Sequence, residues 1–183
     1  ENNVSKDDLD SLKQSIRQLD DLFLLVIVGE FNSGKSAFIN ALIGQALLKE
    51  GVTPTTSQIN ILRYGEKSEQ HLVEKDQTVL LFPVDLLSEL SIVDTPGTNA
   101  IMRQHEELTN HFVPRADLVL FVTSVDRPFT ESERNFMQSI RDWGKKVVII
   151  LNKIDILTSD EELAQVVHFV QENAQALMGR TPE

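Results

Sequence analysis

The residues whose types and spacing most clearly imply chemistry lie at positions 29–36, where the sequence is GEFNSGKS. This stretch satisfies G-x-x-x-x-G-K-[ST], in which the glycines let successive main-chain N–H groups point at phosphate oxygens. Lys35 is predicted to contact the β- and γ-phosphates of a nucleotide, and Ser36 to ligate Mg²⁺. The alternative is a glycine-rich turn that holds no ligand. The other nucleotide-binding candidates here are Gly29, Asn32, Ser33, Gly34 and Ala37.

A carboxylate opens a second motif, DTPG at residues 94–97. At the end of a parallel strand, Asp94 can hold Mg²⁺ through water, and the Gly97 amide can approach a γ-phosphate without a side chain in the way. An isolated motif of this composition is more often a plain turn. Because it follows a phosphate-binding loop, we interpret Asp94 as a metal ligand and Gly97 as a phosphate contact.

A third motif, NKID at residues 152–155, indicates which base is bound. Guanine carries an N1–H and a 2-amino group that a fixed carboxylate at Asp155 can accept from, whereas adenine would leave that carboxylate unpaired. The apolar stem of Lys153 can cover the base plane, and Asn152 completes the predicted guanine contacts. The alternative is a solvated loop that leads into a helix.

Two further polar residues are candidates for the hydrolytic step. A threonine among residues 52–56 (VTPTT) can complete the Mg²⁺ shell and sense the γ-phosphate, and we favour Thr56. The amide of Asn32 either holds a monovalent cation beside the phosphates or caps its own loop. The predicted catalytic set is therefore Lys35, Ser36, Thr56 and Asn32.

Strands and helices that alternate along the chain must position these motifs. Apolar runs predict strands at 22–28, 59–64, 91–93, 118–125 and 147–151, and capped periodic segments predict helices at 35–43, 131–143 and 160–178. Residues 65–77 resemble an exposed hairpin or a flexible loop. This alternation predicts an α/β fold with a mainly parallel sheet that has helices on both faces.

Length and charge limit the classes of function. A chain of 183 residues without cysteine is consistent with one domain and lacks thiolate metal sites and disulfides. The net charge of -11 disfavours nucleic acid as a partner. We expect an amphipathic helix within residues 1–21 and a nucleotide-binding domain at 22–183 that stops before its last strand and last guanine-binding loop.

The motifs together resemble those of the dynamin superfamily. The segments GKSAFINAL (34–42), PTT (54–56), DTPGTN (94–99) and NKID (152–155) are most similar to bacterial dynamin-like proteins and to the fuzzy-onions/mitofusin group, including its chloroplast branch. The resemblance implies a dynamin-type G domain that binds GTP, GDP and Mg²⁺. The resemblance also implies that the residues with functional roles in these families correspond here to Lys35, Ser36, Thr56, Asp94, Gly97, Asn152 and Asp155.

The same resemblance implies a GTP-hydrolysing head of a membrane-remodelling protein. Its heads would pair across their nucleotides, with K⁺ or Na⁺ as a possible further cofactor. Lipid would be contacted through regions outside this chain, on the cytoplasmic or organellar (chloroplast stroma) side of a membrane. The helix within 1–21 would join a neck bundle or pack on its own domain. The alternatives are a translation-associated or tRNA-modification-type, cation-dependent GTPase and a nucleotide-switched module with little hydrolysis.

Overall fold

The computed structural model of the protein describes residues 22–49, 58–74, 77–95 and 108–179. In this part of the chain seven strands form one sheet. They are β1 (Phe23–Val28), β2 (Ile59–Tyr64), β3 (Glu69–Glu74), β4 (Gln77–Phe82), β5 (Leu90–Asp94), β6 (Leu118–Ser124) and β7 (Val147–Asn152). The α-helices described are α1 (Lys35–Ile43), α2 (Leu86–Glu89), α3 (Glu131–Arg141) and α4 (Asp160–Met178).

The sheet is mixed but mainly parallel, in the order β3-β4-β2-β5-β1-β6-β7. Strands β5, β1, β6 and β7 run parallel to one another, as do β2 and β4, whereas the β2–β5 and β3–β4 pairs are antiparallel. The carboxyl ends of four adjacent parallel strands therefore meet at one edge of the sheet, which is where open α/β sheets bind their ligands.

Both faces of the sheet are buried, which explains the continuous apolar run of β1. On one face, Leu24, Val26 and Val28 pack in a cluster that includes residues of α3 and α4. On the other face, Leu25 and Ile27 pack with residues of α1 and α2. A strand covered on both sides needs apolar residues at every position, so the alternation typical of a half-exposed strand is lost.

The predicted helix ends follow from local capping. Helix α1 ends at Gly44, whose φ of 77° is left-handed and whose N–H bonds to main-chain carbonyls of the last turn. Helix α3 begins with the predicted Thr130/Glu133 capping box. Helix α4 begins at the Ser159 cap and ends at Gly179. The predicted end of α3 at residue 143 is wrong, because the chain tightens into a turn after Arg141.

Several short elements of the fold were not predicted from the sequence. The stretch 65–77, expected to be an exposed hairpin or a flexible loop, contains β3 (EQHLVE), which pairs antiparallel with the unpredicted strand β4. Strand β3 is largely exposed, and Leu72 is 64% exposed. The sequence also did not predict helix α2, the π-helix Leu108–Phe112 or the 3-10 helix Val113–Arg115. The amphipathic helix predicted within residues 1–21 lies outside the described residues, and none of the described helices is long and apolar enough to cross a membrane.

Asn40 joins α1 to the segment that follows it. Its Oδ1 accepts from the N–H groups of Leu47 and Leu48 at 3.0 and 2.8 Å, and its Nδ2 donates to the Leu48 carbonyl at 2.9 Å. Asn40 is only 7% exposed. One side chain therefore satisfies three main-chain groups and fixes the path by which the chain leaves α1.

We predict that Asn40→Ala lowers the free energy of unfolding by about 1–3 kcal/mol, because buried main-chain groups lose their partners. Urea unfolding followed by circular dichroism measures the change. Gln45→Ala is the matched control, because this neighbouring side chain is exposed, and its stability should equal that of the wild type. Equal stability of all three proteins would contradict the structural role of Asn40.

Candidate functional site

The loop at 29–34 follows β1 and has space for only the smallest residue at two positions. A Cβ atom at Gly29, which has φ of 152°, would lie 2.1 Å from the Val122 carbonyl oxygen. At Gly34, with φ of 89°, it would lie 2.1 Å from Nδ2 of Asn152. The Val122 oxygen belongs to the main chain and cannot move aside, so Gly29 is required for the loop to pack on β6. At Gly34 the contact is with the end of a side chain, and the left-handed φ is what favours glycine.

Lys35 lies inside this loop. The side chain is 7% exposed, and its Nζ donates to the carbonyl oxygens of Gly29 at 2.9 Å and Glu30 at 3.0 Å. Burial lowers the pKa of Lys35 to about 8, and the nearby carboxylates of Asp94, Glu133 and Glu30 oppose that shift. The ammonium group is thus held at the centre of the loop, in position to meet an anion.

The loop also contains an unsatisfied buried hydroxyl. Ser33 is 2% exposed, and its Oγ has no hydrogen-bond partner within the described ranges. A buried polar atom without a partner is costly unless a ligand or water satisfies it. Together with the glycine-lined turn and Lys35, this hydroxyl makes the loop chemically suited to a phosphate group.

Asp94 stands at the carboxyl end of β5, beside the loop. It is fully buried and pairs in register with Ile27 of β1. Thr95 fixes the chain after it, because its Oγ1 donates to the Ile27 carbonyl at 2.9 Å. Asp94 also acts electrostatically on Lys35. A buried carboxylate next to an ammonium group and to the first residues of α1, where Ser36 lies, provides oxygen ligands of the kind that Mg²⁺ prefers.

The 152–155 motif lies against the phosphate-binding loop. Asn152 Nδ2 donates to the Ser33 carbonyl at 2.9 Å, a contact between residues 119 positions apart. Lys153 has a left-handed φ of 60° and lines one narrow cavity with Asn32 and Ser33. Asp155 is exposed in the single turn Ile154–Ile156, where its carboxylate is accessible to a base.

The structure therefore brings most of the predicted site residues to one edge of the sheet. The loop residues 29–37, Asp94 and the 152–155 motif all follow the carboxyl ends of β1, β5 and β7. Thr56 and Gly97, which were predicted to bind the metal and the γ-phosphate, lie outside the described residues.

Sequence reasoning missed a buried acidic group beneath the loop. Glu133 is 1% exposed, and its Oε2 accepts from Thr123 Oγ1 at 3.0 Å and from the Thr130 N–H at 3.1 Å. Burial raises the pKa of Glu133, although hydrogen bonds from Thr130 and Thr123 partly counter that effect. The capping box revealed that Glu133 begins a helix, but only the tertiary structure places it beside the loop.

The loop that follows β6 contributes charged groups to the same cavity. Ser124 Oγ donates to Asp126 Oδ1, and this bond is the main cause of the lowered pKa of Asp126. Lys153 also lowers that pKa electrostatically. Arg127 lines the cavity with these groups, and its side chain is 75% exposed. The rim near Lys153 therefore carries both signs of charge.

Comparison with known proteins agrees with this geometry. A family model described as "50S ribosome-binding GTPase" matches residues 24–153. The probable transmembrane GTPase FZO-like, chloroplastic, of Arabidopsis thaliana is 49% identical over 172 residues, which are 91% of this chain and 19% of that protein. A bacterial dynamin-like protein of Nostoc punctiforme is 28% identical over 174 residues, covering 73% of this chain and 25% of that protein.

A solved structure of an oligomerised bacterial dynamin pair has the same fold, with a TM-score of 0.74 at 19% identity over 94% of this chain and 33% of that chain. The chain thus spans about a fifth to a third of the length of these proteins. The predicted α/β fold and the resemblance to dynamin-like proteins are both confirmed. The chain belongs to the GTPase family that this model describes, and it is similar to the GTPase parts of dynamin-like proteins.

Proposed function

We propose that the chain is the GTP-binding and GTP-hydrolysing head of a dynamin-like membrane-remodelling protein. The observation that carries this proposal is the hydrogen bond from Asn152 to the Ser33 carbonyl, because it joins the base-selecting motif to the phosphate-binding loop in one site. We further propose that residues 22–183 form this head and that residues 1–21 belong to a neck helix.

Phosphate binding is the task we assign to the 29–37 loop. Lys35 Nζ donates to two carbonyl oxygens of its own loop, and phosphate oxygens would be stronger, charged acceptors for the same group. Ser36, Asp94 and Thr56 would hold Mg²⁺. This ion supplies charge stabilisation for phosphoryl transfer. Gly97 would contact the γ-phosphate through its main-chain amide.

Selection of guanine is the task we assign to the 152–155 motif. The exposed Asp155 carboxylate is free to accept from the two donors of guanine that adenine lacks. The half-buried Lys153 stem would lie against the base. Asn152 would hold this turn at a fixed distance from the loop that binds the phosphates.

For hydrolysis, we propose that a second head helps to complete the site. Small signalling GTPases place a water-orienting glutamine after the second motif, but here that position is Thr98. A partner head that presses on residues 52–56 and 98–104 would exclude bulk solvent from the site and hold the attacking water molecule in place. Asn32, which is exposed and has a φ of 63°, would hold K⁺ or Na⁺ beside the phosphates.

The membrane role rests on the relatives, one of which is named a transmembrane GTPase and another a dynamin-like protein. Lipid would be reached through parts of the protein outside this chain. The organellar or cytoplasmic side of a membrane, with the chloroplast stroma as one case, is the location we propose.

A second candidate function is binding to the large ribosomal subunit, which the description of the family model favours. The net charge of -11 opposes it, because RNA phosphates would be repelled. Co-sedimentation of the full-length protein with anionic liposomes and, separately, with 50S subunits decides between the two. GTP-dependent binding to liposomes alone supports our proposal, whereas binding to subunits alone overturns it.

We predict that Lys35→Ala weakens GTP binding by about 100-fold, because charge-assisted hydrogen bonds to phosphate are lost. Ser36→Asn should likewise abolish Mg²⁺-dependent triphosphate binding. Nucleotide titration measures both effects, and circular dichroism checks that the fold is retained. Lys49→Ala is the control, since this lysine is exposed. An unchanged GTP affinity in Lys35→Ala would refute the phosphate-binding role.

We predict that the protein prefers GTP and GDP to ATP and that Asp155→Asn weakens GTP binding at least about tenfold while admitting xanthine nucleotides. The asparagine amide can donate to the O2 of xanthine, which replaces the 2-amino group. Asp160→Asn, a change at an exposed residue of α4, should leave the preference intact. Equal affinities of the wild type for ATP and GTP would disprove base selection by this motif.

We predict that turnover per head rises with the concentration of the full-length protein and that GDP with aluminium fluoride produces dimers, while GDP alone does not. Light scattering and phosphate release measure these effects. The same assay in potassium, sodium and choline salts at matched ionic strength tests the cation, for which we expect different rates. A monomer in aluminium fluoride with concentration-independent turnover would mean that each head works alone.

A further inference from the structure

Two helices of this domain have a glutamate in the first turn that accepts from a main-chain N–H just before the helix. Only one of these glutamates is buried. Glu162 of α4 is exposed and accepts from the N–H and Oγ1 of Thr158 at 2.7 and 2.9 Å. Glu133 of α3 is 1% exposed. Capping alone does not require burial, as Glu162 shows, and removing a carboxylate from water is costly. The position of Glu133 therefore needs a further reason.

The contacts of Glu133 supply that reason, because they reach three separate elements. Oε2 accepts from the N–H of Thr130 at the start of α3 and from Oγ1 of Thr123 on β6. Glu133 also lines one narrow cavity with Glu30, and the main chain of Glu30 acts as a hydrogen-bond donor that lowers the pKa of Glu133. Glu30 is the second residue of the phosphate-binding loop, so the cap of α3 is at the same time a support of that loop.

A second contact ties the same loop residue to the same helix turn. Ser132 Oγ donates to Glu30 Oε1 at 3.0 Å and lies 3.1 Å from Thr130 Oγ1. Glu30 is therefore held through its main chain by Glu133 and through its side chain by Ser132. The Glu30 carbonyl is in turn one of the two oxygens that hold Lys35 Nζ. A shift of the first turn of α3 would thus move an acceptor of Lys35.

We propose that Glu133 is a positioning residue for nucleotide binding, which fixes the phosphate-binding loop to the start of α3 through the Glu30 main chain. The inference rests on the proposed function, since it concerns the affinity of that loop for nucleotide. Glu133 acts through Glu30 and Lys35 and does not itself contact the nucleotide. Burial raises the pKa of Glu133, which agrees with its placement in the interior.

The competing explanation is that Glu133 only stabilises α3. The two explanations differ in what Glu133→Gln and Glu162→Ala do. Glutamine keeps one acceptor oxygen, which can serve the two donors that Oε2 serves, so most of the positioning role is preserved. Glu162→Ala removes a first-turn carboxylate that accepts from the N–H and Oγ1 of Thr158 before α4, so it reports the effect of a hydrogen bond at a helix start by itself.

The test compares Glu133→Ala, Glu133→Gln and Glu162→Ala in the full-length protein. Titration with fluorescent GDP and GTP gives the affinities, and hydrogen exchange of the nucleotide-free protein reports on the amides of residues 30–35. We expect Glu133→Ala to bind about tenfold more weakly, and Glu133→Gln to stay within about threefold of the wild type. Glu162→Ala should equal the wild type, and only Glu133→Ala should show faster exchange in the loop.

If folded Glu133→Ala binds nucleotide like the wild type, the inference is wrong. It is also wrong if Glu162→Ala weakens binding equally. If the wild type itself binds no guanine nucleotide, the proposed function fails, whereas loop exchange in Glu133→Ala still decides whether Glu133 holds the loop.

Should Glu133→Ala not fold, Thr123→Val provides the test, because it removes one donor to Glu133 and keeps the side-chain shape and the helix cap. We then expect binding to weaken by about two- to fivefold and loop exchange to accelerate. A Thr123→Val protein with wild-type affinity and exchange would overturn the inference.

Discussion

The site depends on one close contact, in which the 29–37 loop meets Asn152 beside Gly34, a glycine with a left-handed φ. The hydrogen bond from Asn152 to the Ser33 carbonyl spans 2.9 Å, and a Cβ atom at Gly34 would overlap that amide. The contact holds two motifs from distant parts of the sequence at a fixed separation. Because the phosphates and the base of one nucleotide are joined covalently, the motifs that hold them must keep such a separation.

Around this contact the domain buries three charged side chains, Lys35, Asp94 and Glu133. Lys35 is buried with the carboxylates of Asp94, Glu133 and Glu30 near it, and burial lowers the pKa of Lys35 to about 8 despite these neighbours. Buried charges persist only when partners and hydrogen bonds compensate them. The buried apolar clusters on both sheet faces supply a rigid frame in which these groups keep their geometry without solvent.

The support of the loop by α3 connects the nucleotide site to the outer layer of the domain. Helix α3 packs beside α4, where Arg134 donates to Asn173 and Arg141 donates to the Leu177 carbonyl at 3.3 Å. At its other end, α3 contacts Glu30 through Ser132 and Glu133. The phosphate-binding loop and the α3–α4 pair are therefore parts of one hydrogen-bonded unit, although they lie far apart in sequence.

The sequence by itself determined the parts that rest on local chemistry. Glycines and capping residues placed the starts of α1, α3 and α4 and two of their three ends, and continuous apolar runs located β1, β6 and β7, because these signals act over a few residues. Motif spacing identified most of the residues that the structure brings to one edge of the sheet, for the same reason.

Only the tertiary structure decided the features that depend on residues far apart in the chain. Strand β3 has a polar composition and forms because β4 offers it a paired edge. Thr123, Glu133 and Glu30 carry no joint motif, yet the order of β1 and β6 in the sheet brings them together. The strand order, the antiparallel β2–β5 pair and the burial of Glu133 follow from long-range pairing, which no local pattern records.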